Sequence, residues 1–354
     1  MSSEPEVIVR IEGRTGRLTL NRPQALHALT TGMCREMIAA LSAWREDPAV
    51  ELVLIDHSGE RGFCAGGDIR TLAESGRGDG VAARDFFFTE YRLDHLLFHY
   101  PKPTVAVMDG VVMGGGVGLA LASRYRVATE RTVFAMPETG IGLFPDVGGS
   151  WYLARMPDHI GLWLALTGAR LRAEDCLEVD IATHVVSPSD KAHLVQEFAH
   201  GSMGIAGRLS AREVKPARGV LPEVRSQVAA LFRGRSLDEI IKDLQADGGE
   251  WACAQLDLLR ARSPLSLRVA FRQLQEGAKA NSFTEVMAME YRIASRLSRA
   301  HDFLEGVRAV IVDKDNSPRW DPPTLEGVSQ QMVDAVFAPL PAGQEWFPLS
   351  GDLP

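Results

Sequence analysis

The spacing of apolar and polar positions changes along the chain. Val7 to Ile11 and Leu18 to Leu20 are short apolar stretches on either side of GRTG, which predicts an antiparallel hairpin. Thr30 to Trp44 carries Met33, Met37, Ala40, Leu41 and Trp44 at helical spacing. Leu52 to Ile55 reads as a short buried strand. Arg84 to Phe98 sets a rich apolar face against Arg84, Glu90 and Arg92 and predicts a helix, which Pro101 and Pro103 stop. Thr104 to Met108 is the next strand and ends in the turn pair Asp109-Gly110. Gly114 to Ala122 reads as a helix entered through glycines, and Tyr125 to Ala128 as another strand. Strand and helix thus alternate from about residue 50 to about residue 190, the pattern of an α/β core.

From Asp190 onward the period is mostly helical. Ser263-Pro264 reads as an N-cap followed by proline at the first helical position, opening a helix with Leu267, Phe271 and Leu274. Thr284 with Met287 opens another, through Tyr291 to Leu297. Pro318, Pro322 and Pro323 mark an irregular tail. No repeat and no low-complexity linker separates the halves. The expectation is a core over 1–190 and a mainly helical region, 191–354, packed on it.

Composition narrows the classes. A chain of 354 residues, 45% hydrophobic, has ample core for one large or two smaller domains. A formal net charge of −8 argues against a general nucleic-acid binder, though a local basic pocket stays open. Cys34, Cys64, Cys176 and Cys253 are widely spaced and lack metal-ligand spacing, so isolated reduced thiols are expected. MSSEPEVIVR has no basic region leading into an apolar run, and no window approaches about eighteen consecutive apolar residues. Neither a signal peptide nor a membrane span is expected, and the chain reads as cytoplasmic.

Three segments carry candidate chemistry. GFCAGGD (Gly62 to Asp68) and MGGGVGLA (Met113 to Ala120) both put small residues directly after a strand, near a helix start. Glycine lets backbones approach closely, and the first turn of a helix has free N–H groups. Two such groups aimed at one oxygen make an oxyanion hole; for either segment alone, tight packing at a strand-to-helix turn is the plainer reading. Neither is a Walker A loop or a GxGxxG fingerprint. The third segment, PETGIGLFPDVGG (Pro137 to Gly149), places Glu138 and Asp146 on a tightly turned, mostly apolar stretch. A solvent loop tolerates acids anywhere, whereas a reaction site needs them at controlled positions. The pattern alone yields two amide donors and two acids, without a substrate.

GFCAGGDI, GVVMGGGVGLA and PETGIGLFPDVGG resemble the crotonase, or enoyl-CoA hydratase/isomerase, superfamily. With FFFTEYRLDHLL and HDFLEGVRAVIVDKDNSPRWDP they resemble its 3-hydroxyisobutyryl-CoA hydrolase branch, over nearly the whole chain. The resemblance implies an α/β spiral of ββα units followed by helices, binding an acyl-CoA thioester, with CoA as part of the substrate, no cofactor and no metal. It implies Gly67 and Gly115 N–H as the oxyanion hole, and Ala65, Gly66, Asp68 and Ile69 near the adenine end. Arg70 is a candidate phosphate contact or an ordinary surface arginine. Glu138 matches a catalytic glutamate shared by hydratases and the hydrolase. Asp146 matches the hydrolase branch, where many hydratases carry glycine. Gly118 stands where hydratases carry their other catalytic glutamate. Hydration needs two acid/base groups around the alkene, so this exchange favours thioester hydrolysis. Glu90 matches a substrate-pocket acid able to accept a hydrogen bond from an acyl hydroxyl. Asp94 departs from the pattern, which has asparagine there, and this puts the acyl preference in doubt. A hydratase or isomerase using Glu138 with a relocated partner, and a catalytically weak acyl-CoA-binding protein, remain alternative readings. A homo-oligomer is left open.

Other polar residues read as structural. His95 and His99 share a helix face but have no third ligand, and HLLFH is not HExxH. Ser150 lacks the GxSxG elbow. Asp313, Lys314 and Asp315 read as a solvated turn or local ion-pair cluster on a segment that closes over the core.

Overall fold

The computed structural model describes residues 4–350. Ten strands form two sheets. The larger holds β1 (Val7–Glu12), β2 (Thr15–Leu20), β3 (Leu52–His57), β5 (Thr104–Met108), β7 (Tyr125–Thr129) and β10 (His184–Val186), in the order β1-β2-β3-β5-β7-β10. Its β1–β2 hairpin is antiparallel and every later pairing is parallel. The smaller holds β4 (Gly62–Cys64), β6 (Val111–Met113), β8 (Val133–Ala135) and β9 (Leu171–Arg172), in the order β4-β6-β8-β9. Strands of consecutive pairs divide between the sheets: β3 then β4, β5 then β6, β7 then β8. Each pair followed by helix is one turn of an α/β spiral, the crotonase-like fold.

All residues of β3 and β5 are buried, as expected for parallel strands covered on both faces. The sequence reading found the strands of the large sheet except β10, and none of the small one. Strands of two or three residues, such as β4 and β6, are too short to show a period, and they look like the glycine turns they adjoin.

Four helices shape the site. They are α1 (Thr31–Glu46), α2 (Ile69–Arg77), α3 (Val81–Phe98) and α4 (Gly115–Leu121). Thr30 caps α1 by accepting from the Met33 amide at 3.2 Å, a contact that stabilises a helix by about 1 kcal/mol. Later, Ser263 caps the helix Pro264–Lys279 as its sequence predicts. The next helix, Phe283–Leu297, starts earlier than Thr284. Its cap is Ser282, which accepts from the Glu285 amide at 3.1 Å.

The helices after Pro188 pack back onto the spiral in two places. Lys191–Phe198 and Ile205–Ser210 cover one face of the large sheet, where Leu194, Phe198 and Leu209 meet Leu52, Leu54, Val105 and Val107. The last helices join the main core through Phe271, Phe283, Met287, Ile293 and Phe303. Among the described residues, no helix is long and apolar enough to cross a membrane.

Candidate active site

The two glycine segments touch backbone to backbone. A methyl group placed on Gly114 would lie 2.8 Å from the Cα of Gly66. Gly114 itself sits at φ 48°, ψ −129°, a conformation that needs glycine. It turns the chain from β6 into α4, so Gly115 becomes the first helical residue with no acceptor for its N–H. Leu29 and Asp68 supply the bonds beside Gly67, from Leu29 N–H to Gly66 O and from Asp68 N–H to Leu29 O. The Gly67 amide is left over. Among the described residues neither amide donates to another protein group, and both line one cavity of about 400 Å³.

Helix α3 forms the acidic wall. Glu90 and Asp94, one turn apart, both press against glycines of α4. A methyl on Gly115 would meet Glu90 Oε1 at 2.3 Å, and a methyl on Gly118 would meet Asp94 Oδ1 at 2.5 Å. The space that a side chain at position 118 would take is therefore filled from α3. Tyr91, between these acids, donates its hydroxyl to Asp146 Oδ2 at 2.8 Å. Glu138 lies across the cavity, where a methyl on Gly114 would be 3.7 Å from its Oε1. Glu138 and Asp146 both line the cavity, eight positions apart in sequence but joined through the turns Glu138–Ile141 and 145–149.

The Asp146 turn is pinned from the C-terminal helices. Glu290 accepts from the amides of Gly148 at 2.8 Å and Ser150 at 2.9 Å. The Gln273 side-chain amide donates to the Pro145 carbonyl. Between these pins Val147 is buried at φ 52°, an outlier for a β-branched residue that costs on the order of 1–3 kcal/mol. The helices hold that strain next to the acid.

Burial dominates the electrostatics. It raises the pKa of Glu138 well above the ordinary value, and the nearby Asp146 charge raises it further. Burial and then Asp146 act the same way on Glu90 and Asp94. Glu290 is pushed up to about 8 by burial, despite its two amide donors. Asp146 rises only to about 6, because the Tyr91 hydroxyl and a backbone amide stabilise its charge. Glu90 Oε1, Glu138 Oε2 and both oxygens of Asp94 are buried without a hydrogen-bond partner. Native structures rarely leave such groups unpaired except where a ligand, water or reaction will use them.

Most candidates from the sequence converge here. Gly67, Gly115, Glu90, Glu138, Asp146, Ala65, Gly66 and Ile69 all line the cavity. Two do not. Asp68 turns away to pair with Arg22 at 3.1 Å, and Arg70 donates to the Ile311 carbonyl at 2.9 Å. His95 bonds Thr284 Oγ1 and packs against the tilted His99 ring, centroids 4.2 Å apart. Among the described residues, no three His, Cys, Asp or Glu side chains are placed to hold a metal ion. Asp313 and Asp315 form a local ion-pair cluster with Arg308, and Val310, Ile311 and Asn316 nearby line the cavity. Sequence reading missed Tyr91, Glu290, Gln273, Arg170 and Arg262. The acid Glu290, sitting inside the apolar pattern of its helix, was the one signal available.

The fold and this cavity define a class. The chain belongs to the enoyl-CoA hydratase/isomerase family, whose model matches residues 15–337. Its similar relatives include the mitochondrial 3-hydroxyisobutyryl-CoA hydrolase of Gallus gallus, 44% identical over 347 residues, covering 96% of this chain and 90% of that protein. The mitochondrial 3-hydroxyisobutyryl-CoA hydrolase of Danio rerio is 45% identical over 353 residues, covering 95% and 90%. Among solved structures, a carnitinyl-CoA dehydratase from Mycobacterium thermoresistibile superposes with a TM-score of 0.90 at 40% identity, covering 95% of this chain and 97% of that one. An enoyl-CoA hydratase from Rhodobacter sphaeroides 2.4.1 gives 0.89 at 41% identity, covering 97% and 100%. The cytoplasmic expectation drawn from the first residues is overturned, because the hydrolases it matches are mitochondrial proteins.

Proposed function

We infer that the chain is an acyl-CoA thioester hydrolase of the 3-hydroxyisobutyryl-CoA type. The observation that carries this reading is the exchange of acids around α4. Position 118 is glycine and its side-chain space is occupied by Asp94, while Asp146 stands beside Glu138 in the cavity. The sequence relatives support hydrolysis. The structural relatives carry hydratase and dehydratase titles, but overall similarity at 40% does not separate these reactions; the acids do.

The thioester oxygen would sit against the amides of Gly67 and Gly115, which stabilise the negative charge that develops there. Glu138 then attacks the carbonyl to form a mixed anhydride, or activates a water. Asp146, held by Tyr91, accepts a proton and leaves the Glu138 carboxylate free to act. CoA thiolate departs with a pKa of roughly 8–9 and needs little acid help. Glu90, packed against Gly115, would accept the hydrogen bond of the acyl hydroxyl.

The test is to follow thiol release and alkene hydration separately. 3-Hydroxyisobutyryl-CoA should yield free CoA over many turnovers, and crotonyl-CoA should be hydrated slowly or not at all. Fast crotonyl-CoA hydration without thiol release would replace this reading with a hydratase. In the anhydride route water then cleaves the anhydride at either carbonyl; label found in Glu138 after a single turnover in H₂¹⁸O would require that route with attack at the Glu138 carbonyl, since the water-activation route never labels Glu138.

A further inference from the structure

Arg262 is a half-buried cation that faces the cavity without an anion. Its position is set by the neighbouring Ser263, whose amide donates to the Thr139 carbonyl at 3.0 Å, tying it to the turn that carries Glu138. One guanidinium nitrogen donates to the Thr167 carbonyl. A second, Nη1, lies against Gly140, where a methyl would approach within 2.8 Å, and it has no acceptor among the described residues. Nε is buried and unpartnered. Of the other half-buried arginines, Arg17, Arg22 and Arg126 each hold a carboxylate, while Arg92 and Arg296 donate to backbone carbonyls away from the cavity. Burial lowers the Arg262 pKa, with no acid near enough to offset it. A desolvated charge left unpaired is costly, so a site that keeps one is built for an incoming partner. Arg170 and Asn316, both exposed, line the same cavity, and Arg170 makes no ion pair among the described residues.

We propose that Arg262, assisted by Arg170, binds a phosphate group of the CoA moiety. This rests on the acyl-CoA reading above. A 3-hydroxyacyl group carries no charge, so the anion that Arg262 lacks must come from the nucleotide end, which the flexible pantetheine arm lets fold back to the cavity mouth.

The test compares Arg262→Gln and Arg262→Lys with wild type on two thioesters, the CoA ester and the matching pantetheine ester without phosphates. With Arg262→Gln, KM for the CoA ester should rise roughly 10- to 100-fold, the scale of a lost charge-assisted hydrogen bond, at nearly constant kcat. Arg262→Lys should recover part of it. The pantetheine ester should change by less than about twofold. Equal losses on both esters, or no loss on either, overturn the proposal. Calorimetry with free CoA, dephospho-CoA, pantetheine and inorganic phosphate gives a readout independent of turnover. Weakened binding of CoA and dephospho-CoA alike assigns the diphosphate, and weakened binding of CoA alone assigns the 3′-phosphate. Selective loss for inorganic phosphate, with CoA unaffected, means that the arginine holds a free anion and refutes the assignment. If wild type binds CoA through Arg262 but cleaves neither ester, the hydrolase reading fails and this one stands.

Discussion

Two buried groups of charged residues lie in this molecule, and they are built in opposite ways. At the carboxyl ends of β3 and β5, Asp56 pairs with Arg17 at 2.7 Å and accepts from Thr19 at 2.7 Å. Asp109 accepts from Thr129 at 2.7 Å and from Arg131, with Lys191 at 3.7 Å. Every acid there has a cation and a hydroxyl. At the cavity, Glu90, Glu138 and Asp146 line the hollow and Asp94 packs against Gly118 one turn from Glu90, with Tyr91 as the one side-chain donor in the set. The titrations run in opposite directions. Arg131, Thr129 and Lys191 outweigh burial and lower Asp109 below its ordinary 3.8. Its native form binds fewer protons than the unfolded chain, so it adds stability above about pH 4, lost as pH falls through its folded pKa. Asp146, raised from 3.8 to about 6, binds more protons when native, so its contribution weakens stability as pH rises between those values. A hollow of about 470 Å³ at the carboxyl ends of β3 and β5 is larger than the cavity lined by Glu138, yet its charges satisfy one another. Size does not mark the site; unmet hydrogen bonds do.

That contrast is broken most directly at Glu138. Glu138→Gln should lower kcat by roughly 10²-fold or more, the scale of general-base or nucleophilic action, while affinity for free CoA holds. Near-normal turnover in a folded variant would end the proposed mechanism. The mirror experiment is Asp109→Ala, which leaves Arg131 and Lys191 unpaired. Denaturant unfolding should show a loss of about 2–4 kcal/mol, with activity per folded molecule unchanged. A loss of activity without a loss of stability would show that the two groups are not opposites. A smaller effect is expected at α4. Gly118→Glu should destabilise by about 1–3 kcal/mol, because the new side chain meets Asp94, and Asp94→Ala should relieve it. If the single variant is as stable as wild type and hydrates crotonyl-CoA, the space was not occupied as described. The finest test is Tyr91→Phe. Losing its hydroxyl should move the acidic limb of kcat/KM, set by Asp146 near 6, to higher pH, by up to about one unit. An unmoved limb would assign it to another group.

Much of this was legible in sequence where the signal was local. The hairpin, the long strands and the helices announce themselves by period, and the glycine segments and their acids by motif. Tyr91, Glu290 and Gln273 were illegible because their partners lie far away in the chain. Nothing around Gln273 says that it meets Pro145. Asp94 showed only as a departure from the family pattern, and its meaning needed Gly118 alongside it. Arg262 was hidden for another reason. A lone arginine before an N-cap resembles any surface arginine until its burial and missing partner are seen. Asp68 misled because it shares a motif with cavity residues, while its side chain turns to Arg22.

The pins on the Asp146 turn bear on how the molecule comes into being. Glu290 reaches back 142 positions and Gln273 128 positions to hold one strained turn. A ribosome delivers the spiral, the Gly67 and Gly115 amides and Glu138 long before it delivers those two side chains, and domains generally fold N-terminal first during synthesis. Both acids are thus translated long before the side chains that fix the Asp146 turn, and before Val310, Ile311 and Asn316 complete the cavity lining. Premature termination between Asp146 and Gln273 yields a chain that has translated Gly67, Gly115, Glu138 and Asp146 and still lacks the side chains that pin the Asp146 turn.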